Sequence, residues 1–348
     1  MGKPGRNQIG WTRVNQCRFR RLISIALMLF TCWQTIACRP LSPVVPSTEQ
    51  THCHRVEHAA GTTCVPNQIQ RLVTLDSASF ENVVALGLQP IGTTLSDEIP
   101  AYLEHWMEGV ENIGTAGEPN LERILALKPD LILGLDYHQN LYAQASQIAP
   151  TILLNFNYSG EWKTAFQQFG IALKREAIAQ QVMQQYQHRL QDLQSLLKAG
   201  IESISSLPFP PKISVVRIYP DSINLYLRDS FCGTILQDAG LARPKAQDLS
   251  ALEAKQWFNN EIQVSISVER IDQADGDVMF VWTSENTEAG NQAAQEKLEK
   301  LQSSPLWQNL KAIQMNRVYF VPDYWIGSGP IAANAVIDDL FKYLVKQA

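Results

Sequence analysis

The chain has 348 residues, of which 45% are hydrophobic and 18% are charged. A chain of this length can bury two hydrophobic cores, and the composition excludes a disordered or a membrane-embedded protein. Residues 1–37 hold six basic residues and no acidic one, so the rest of the chain has 34 acidic and 23 basic residues and a formal charge of −11. This acidic balance argues against a nucleic-acid partner, whose phosphates require a basic surface.

The N-terminal segment has the features of an export signal. Six basic residues precede the apolar run at 22–30, and the small residue Ala37 stands directly before Cys38. This order is typical of a secretion signal, and the run is shorter than the roughly 20 residues that a membrane span needs. The position of the cysteine predicts that residues 1–37 are removed and that Cys38 is lipidated, which would anchor the protein at the periplasmic face of the cell membrane. Plain cleavage, leaving a soluble periplasmic protein, is the alternative, and Sec or twin-arginine export both stay open.

Residues 38–68 are expected to form a tether and an N-terminal hairpin. Residues 39–51 are rich in proline, serine and threonine, a composition typical of a linker. Cys53 and Cys64 flank a segment that can fold back on itself, and in an exported protein they are a possible disulfide.

From residue 71 onward, apolar runs of strand length alternate with helical patterns. In residues 120–140 a short amphipathic pattern stops at Lys128-Pro129-Asp130, and the apolar run at 131–135 and a polar rim follow. A fully apolar run suits a parallel strand covered on both faces, and the alternation predicts a parallel sheet flanked by helices. Ligands of such sheets bind beyond the carboxyl ends of the strands.

A long helix is predicted over residues 176–200, where apolar residues recur at helical spacing without an internal glycine or proline. At about 1.5 Å per residue it would be roughly 36 Å long, enough to cross between two lobes. The predicted organisation is an N-terminal lobe at 69–160, a connecting helix at 161–200 and a C-terminal lobe at 201–348. Each lobe is expected to be an α/β sandwich around its own parallel sheet.

One short pattern occurs in both halves of the chain. A Glu-Arg pair, Glu122-Arg123 and Glu269-Arg270, stands at the start of a helical pattern that leads into a buried strand. An acidic residue in the first turn stabilises a helix through the helix dipole, which is the simpler explanation. One such glutamate per lobe is less easily explained in that way.

Together these features resemble the periplasmic binding proteins of ABC importers for ferric siderophores and cobalamin, and most of all the ferric-citrate and iron–siderophore binders. The resemblance extends over residues 69–346, in the order of the family, through segments 71–92, 120–139, 147–151, 230–244, 304–310 and 325–340. It implies two α/β lobes joined by one long helix, with the ligand held between the lobes. It also implies a binding protein without enzyme activity or cofactor, which we expect to be a monomer.

The resemblance assigns a partner to the two glutamates. Glu122 and Glu269 would pair with basic residues of the permease subunits in the inner membrane, because two acidic points orient one protein over another and steer their association. Iron is expected to stay chelated by the siderophore, so no residue of the chain is predicted to bind the metal directly.

Ligand contacts are expected just after strand ends. Arginine offers forked hydrogen bonds to carboxylate or hydroxamate oxygens, and aromatic residues supply rigid walls with polar tips. Arg217 is the first candidate, with a surface arginine beside a strand as the alternative. The other candidate ligand residues are Tyr219, Arg228, Tyr137, His138, Trp282, Tyr324 and Trp325.

Three other functions are alternatives to this interpretation. A cobalamin or haem binder of the same fold is the main alternative. An enzyme is disfavoured because the sequence has no G-x-S-x-G elbow, P-loop or dinucleotide fingerprint. A free-metal binder would use His52, His54 and His58, but no partner with recognisable ligand spacing stands near them.

Overall fold

The computed structural model describes residues 52–95, 101–203, 208–283 and 287–345. The predicted signal, the lipidation site Cys38 and the tether at 39–51 lie outside this part of the chain. No helix among the described residues is long and apolar enough to cross a membrane.

An N-terminal hairpin precedes the lobes. Strands β1 (Cys53–His58) and β2 (Gly61–Pro66) are antiparallel, and a disulfide joins Cys53 to Cys64. The hairpin packs on the first lobe, where Thr63 Oγ1 donates a hydrogen bond to the carbonyl of Thr151 at 2.8 Å. The hairpin is therefore part of the first lobe.

The first lobe is built on a five-stranded parallel sheet in the order β5-β4-β3-β6-β7. The strands are β3 (Leu72–Thr74), β4 (Gly92–Thr93), β5 (Glu111–Asn112), β6 (Leu131–Leu135) and β7 (Thr151–Leu154). The helices are α1 (Ser77–Ala85), α2 (Leu121–Leu127), α3 (Tyr142–Ile148) and α4 (Trp162–Ala172), with 3₁₀ helices at Ala101–Trp106, Asp136–Leu141 and Ser159–Glu161. Strand β6 is buried along its whole length, as its apolar run predicts.

Helix α5 (Glu176–Ser203) runs for 28 residues and joins the two lobes. Its early residue Ala179 lies in the core of the first lobe, and the later residues Tyr186, Leu190 and Leu193 lie in the core of the second. Because one uninterrupted helix contributes to both cores, it acts as a rigid connection between the lobes.

The second lobe also has a five-stranded sheet, in the order β10-β9-β8-β11-β12. The strands are β8 (Ile213–Ile218), β9 (Ile223–Tyr226), β10 (Gln263–Ile266), β11 (Val278–Trp282) and β12 (Val318–Phe320). The helices are α6 (Phe231–Asp238), α7 (Ala251–Phe258), α8 (Glu288–Gln302), α9 (Pro305–Gln308), α10 (Lys311–Gln314) and α11 (Pro330–Leu340), with 3₁₀ helices at Val268–Ala274 and Asp323–Ile326 and a π-turn at Phe341–Val345.

This second sheet is mixed, which corrects the expectation of a parallel sheet. Strand β9 is antiparallel to both β8 and β10. The reason is the short connection between β8 and β9, closed by a hydrogen bond from Tyr219 N to Ser222 O at 2.9 Å. A connection of a few residues can only return the chain as a hairpin, whereas a parallel neighbour needs a long crossover.

Candidate ligand-binding cleft

A cavity of about 540 Å³ lies between the two lobes, within the size range of small-molecule sites. The first lobe lines it with Ser77, Phe80, Thr93, Thr94, Leu103 and Thr115. The second lobe lines it with Arg217, Thr287, Asp323, Ile326, Gly327 and Ser328. Many of these residues lie at or just after the carboxyl ends of strands, so the carboxyl ends of the strands in both sheets face the cavity.

The wall from the first lobe is held by a buried carboxylate. Asp76, at the end of β3, caps α1 by accepting a hydrogen bond from Ser79 N at 2.6 Å, and its second oxygen accepts one from Leu135 N at 3.2 Å. This double anchorage ties the start of α1 to strand β6. It places Ser77 at the cavity wall.

Arg217 reaches the cavity from the second lobe. It is the next-to-last residue of β8 and pairs with Trp282, the last residue of β11. Its guanidinium lies 4.2 Å from the ring centroid of Tyr219, an arrangement that favours a cation over an aromatic face. The arginine is therefore held in place by Tyr219, which stands behind it and does not itself line the cavity.

Glu81 is a cavity residue that the sequence prediction missed. It lies on α1 in the first lobe, is 1% exposed, and accepts a hydrogen bond from Ala332 N of α11 in the second lobe at 2.8 Å. Burial raises the pKa of Glu81 to about 7, although hydrogen bonds from the backbone of Ala332 and Ser328 oppose this rise. The one signal in the sequence is an acid beside Phe80, within an otherwise apolar helical pattern.

Gly329 makes this inter-lobe contact possible. A Cβ atom at Gly329 would lie 2.8 Å from Cδ of Glu81, closer than real Cβ atoms approach other atoms. Asn82 adds a second link, because its Nδ2 donates to the carbonyl of Ser328 at 3.1 Å. The lobes are thus joined at the cavity wall by side chains of α1 and backbone groups before and within α11.

Tyr102 and Asp323 complete this acidic part of the wall. Burial raises the pKa of Tyr102, and the nearby carboxylates of Glu81 and Asp323 raise it further. The tyrosine therefore stays protonated and can donate its hydrogen bond to Glu81. Neither residue was among the predicted ligand contacts.

Two predicted contacts, Tyr137 and His138, lie away from the cavity wall. His138 is 2% exposed, and its Nε2 lies 3.4 Å from Oδ2 of Asp76. Tyr137 is 56% exposed and packs beside the ring of His138. The 3₁₀ helix Asp136–Leu141 turns His138 inward, so it supports the carboxylate that caps α1.

Three aromatic candidates of the second lobe belong to its core. Trp282 is 2% exposed and packs on Tyr226. Trp325 is fully buried and stacks on Phe280 with ring centroids 4.4 Å apart. Tyr324 Oη and Trp325 Nε1 both donate to Oδ2 of Asp339, at 2.8 and 2.9 Å. These contacts hold the segment before α11 in place.

Arg228 lies beyond the ends of the strands that are opposite to the ends where Arg217 lies. It follows β9, which runs antiparallel to β8, so the end of β9 is next to the start of β8. Its guanidinium forms ion pairs with Asp229 at 3.4 Å and Asp248 at 3.1 Å. Because of the direction of β9, Arg228 does not line this cavity.

Glu122 and Glu269 are exposed residues in the first turns of short helices. Glu122 lies on α2, which is capped by Asn120 through a hydrogen bond from Arg123 N at 3.0 Å. Glu269 lies on the 3₁₀ helix Val268–Ala274, and a hydrogen bond from Ser267 lowers its pKa.

Both helices begin near the cavity edge of their sheets. Helix α2 follows β5, which is parallel to β4. The 3₁₀ helix follows β10, which is parallel in direction to β8 because both are antiparallel to β9. Each glutamate therefore lies at the rim of its own lobe, on the side of the carboxyl ends of the strands.

Among the described residues, no group of three or more histidine, cysteine or acidic residues could hold a metal ion. In the hairpin, His54 Nε2 instead lies 3.0 Å from the carbonyl of Ala172, and His58 Nε2 lies 2.9 Å from Thr63 Oγ1. These contacts give both histidines structural partners.

Two α/β lobes, one connecting helix and a polar cavity between strand ends define a two-lobe ligand-binding protein. Residues 72–325 match the family described as periplasmic binding protein, and the chain belongs to that family.

Several named proteins are similar to this chain over most of its length. A probable siderophore-binding lipoprotein of Bacillus subtilis, YfiY, is 34% identical over 299 residues, which are 84% of this chain and 87% of that protein. The achromobactin-binding periplasmic protein of Dickeya dadantii is 33% identical, over 78% of this chain and 86% of that protein. The crystal structure of Staphylococcus aureus SirA complexed with staphyloferrin B matches with a TM-score of 0.71 and 28% identity, over 84% of this chain and 98% of that one.

Proposed function

We propose that this protein is the substrate-binding component of an ABC importer, which captures a ferric siderophore between its lobes and delivers it to the membrane permease. The observation that carries the proposal is the cavity between two sets of strand ends, with one arginine, several hydroxyl groups and an apolar wall. The similar proteins support this ligand class: YfiY of B. subtilis is a probable siderophore-binding lipoprotein, the D. dadantii protein binds achromobactin, and S. aureus SirA forms a complex with staphyloferrin B.

The protein binds and releases its ligand without chemical change. Iron is the cargo and stays within its chelator. The cavity supplies hydrogen bonds and apolar contacts to the outer surface of the chelate. A single rigid helix between the lobes favours small lobe movements on binding.

Delivery requires recognition by the permease, and we assign this role to Glu122 and Glu269. Their exposure and their positions on the rims of the two lobes support the assignment. Opposite charges on the permease would orient the cavity over the transport path. In the same proposal Cys38 carries a lipid, residues 39–51 form the tether, and the folded part works as a monomer.

Tryptophan fluorescence is the direct test of the ligand class. The mature protein is titrated with ferric hydroxamates, ferric citrate, a ferric catecholate, cobalamin and haem. Saturable quenching by a ferric siderophore, with no response to cobalamin or haem, supports the proposal. Binding of cobalamin or haem alone would assign the alternative function, and binding of none of these compounds would refute both.

A further inference from the structure

The charges of the cavity wall indicate which class of siderophore binds there. Among the described residues that line the cavity, Arg217 is the one cation, and Glu81 and Asp323 are acidic. The described part of the wall therefore presents no excess of positive charge to a ligand.

The uncharged part of the wall offers hydrogen-bond donors. Thr93 Oγ1 accepts a hydrogen bond from Thr74 at 2.8 Å, and Thr287 Oγ1 accepts one from Gly290 N at 3.1 Å. Thr115 Oγ1 likewise accepts one from Glu118 N at 3.2 Å. A hydroxyl that accepts in this way keeps its own proton to donate, so these groups suit neutral oxygen acceptors on a ligand.

Burying a charged group is costly unless an opposite charge meets it. A ferric tris-catecholate carries three negative charges and ferric citrate complexes are also anionic, so one arginine would leave much of that charge unpaired. Three hydroxamate groups, in contrast, neutralise ferric iron and present oxygen acceptors around it. A basic amine elsewhere on such a chelator makes the whole complex cationic, which the two acidic residues would favour.

Resting on the proposed function, we propose that the preferred ligand is a hydroxamate-type ferric chelate without net negative charge. Arg217 and the threonine hydroxyls donate to its oxygens, and Phe80, Leu103 and Met107 pack on its hydrocarbon chains. Asp323 and the ionised fraction of Glu81 act as specificity-determining groups, because their negative charge disfavours polyanionic chelates.

The test compares four iron complexes on the same protein at neutral pH. Ferrioxamine B (cationic) and ferrichrome (neutral) should bind at least about 100-fold more tightly than ferric citrate or ferric enterobactin. Tighter binding of either anionic chelate would overturn this inference and leave the proposed function intact. Failure of all four to bind would refute the proposed function as well.

A pair of variants tests the role of the acidic residues. In Glu81→Gln/Asp323→Asn, the ratio of the affinities for ferrioxamine B and ferric citrate should fall by about tenfold or more, because the repulsion of the anion is removed. The matched control is Asp229→Asn/Asp248→Asn, which neutralises two acids of the ion-pair network around Arg228. An unchanged ratio in the first variant, measured on protein that still binds ferrioxamine B, would contradict the assignment. If the first variant does not fold, the single variant Asp323→Asn gives the same comparison.

Discussion

Glu81 Oε1 accepts a hydrogen bond from Ala332 N at 2.8 Å, although 251 positions of the chain separate the two residues. This bond joins the first helix of one lobe to the last helix of the other, at the wall of the cavity. An acid at the N-terminal end of a helix is favoured by the helix dipole, whereas its burial opposes ionisation. As a result, the pKa of Glu81 is about 7, so the carboxyl group is partly protonated at neutral pH.

The first prediction concerns stability and pH. The pKa of Glu81 is about 7 in the folded protein against an ordinary value of 4.5, so the folded state retains a proton that the unfolded chain releases. The stability that this group contributes is therefore complete below pH 4.5 and is lost as the pH rises through about 7. Glu81→Gln should flatten this dependence, by roughly 3 kcal/mol at most. Denaturant unfolding from about pH 5 to about pH 8 measures the difference between the two proteins.

Glu104→Gln serves as the control for this experiment, because Glu104 is an exposed acid of the same lobe. Its pH dependence should follow that of the unmodified protein. Parallel stability curves for the unmodified protein and Glu81→Gln would show that the folded state does not hold the proton.

The second prediction concerns the cavity arginine. Arg217→Ala should weaken binding of a ferric hydroxamate by about 10- to 100-fold, because a hydrogen bond from a charged donor contributes roughly 1.5–3 kcal/mol. Arg228→Ala removes the same type of side chain at the opposite edge of the sheet and should leave affinity unchanged. Isothermal titration calorimetry of both variants provides the comparison. Equal losses in the two variants would exclude a specific role for Arg217.

The third prediction separates docking from ligand binding. Glu122→Ala/Glu269→Ala should reduce uptake of iron by cells or by reconstituted permease vesicles at least about tenfold, with ligand affinity unchanged. The matched control is Glu57→Ala/Glu299→Ala, which removes one exposed acid from the hairpin beside β7 and one from α8 of the second lobe. Loss of ligand affinity in the first variant, or equal loss of uptake in the control, would contradict the docking assignment.

The fourth prediction concerns the hairpin. Cys53→Ser/Cys64→Ser should lower the free energy of unfolding by roughly 2–3 kcal/mol, because the disulfide restricts the unfolded chain. Ligand affinity should not change, since the hairpin packs on β7 and not on the cavity. Thermal unfolding of the variant and of the unmodified protein, with and without reductant, measures the effect. Reductant should lower the melting temperature of the unmodified protein alone.

Local patterns predicted much of the architecture. The apolar run Leu131–Leu135 predicted a buried strand, because only a strand covered on both faces hides every side chain. The uninterrupted apolar spacing from residue 176 predicted a long helix, which the structure extends to Ser203. Residues 242–260 lack such a clear pattern, and the structure nevertheless has helix α7 there.

Local spacing and residues close in the chain suffice to predict the family, the class of fold and the places where strands end. Which strand ends share the cavity depends on how the whole chain packs. Arg217 lines it and Arg228 does not, because a short turn reverses the direction of β9. Glu81 is part of the site because folding places α11, which is distant in sequence, against its carboxyl group. Contacts of that kind have no counterpart in local periodicity.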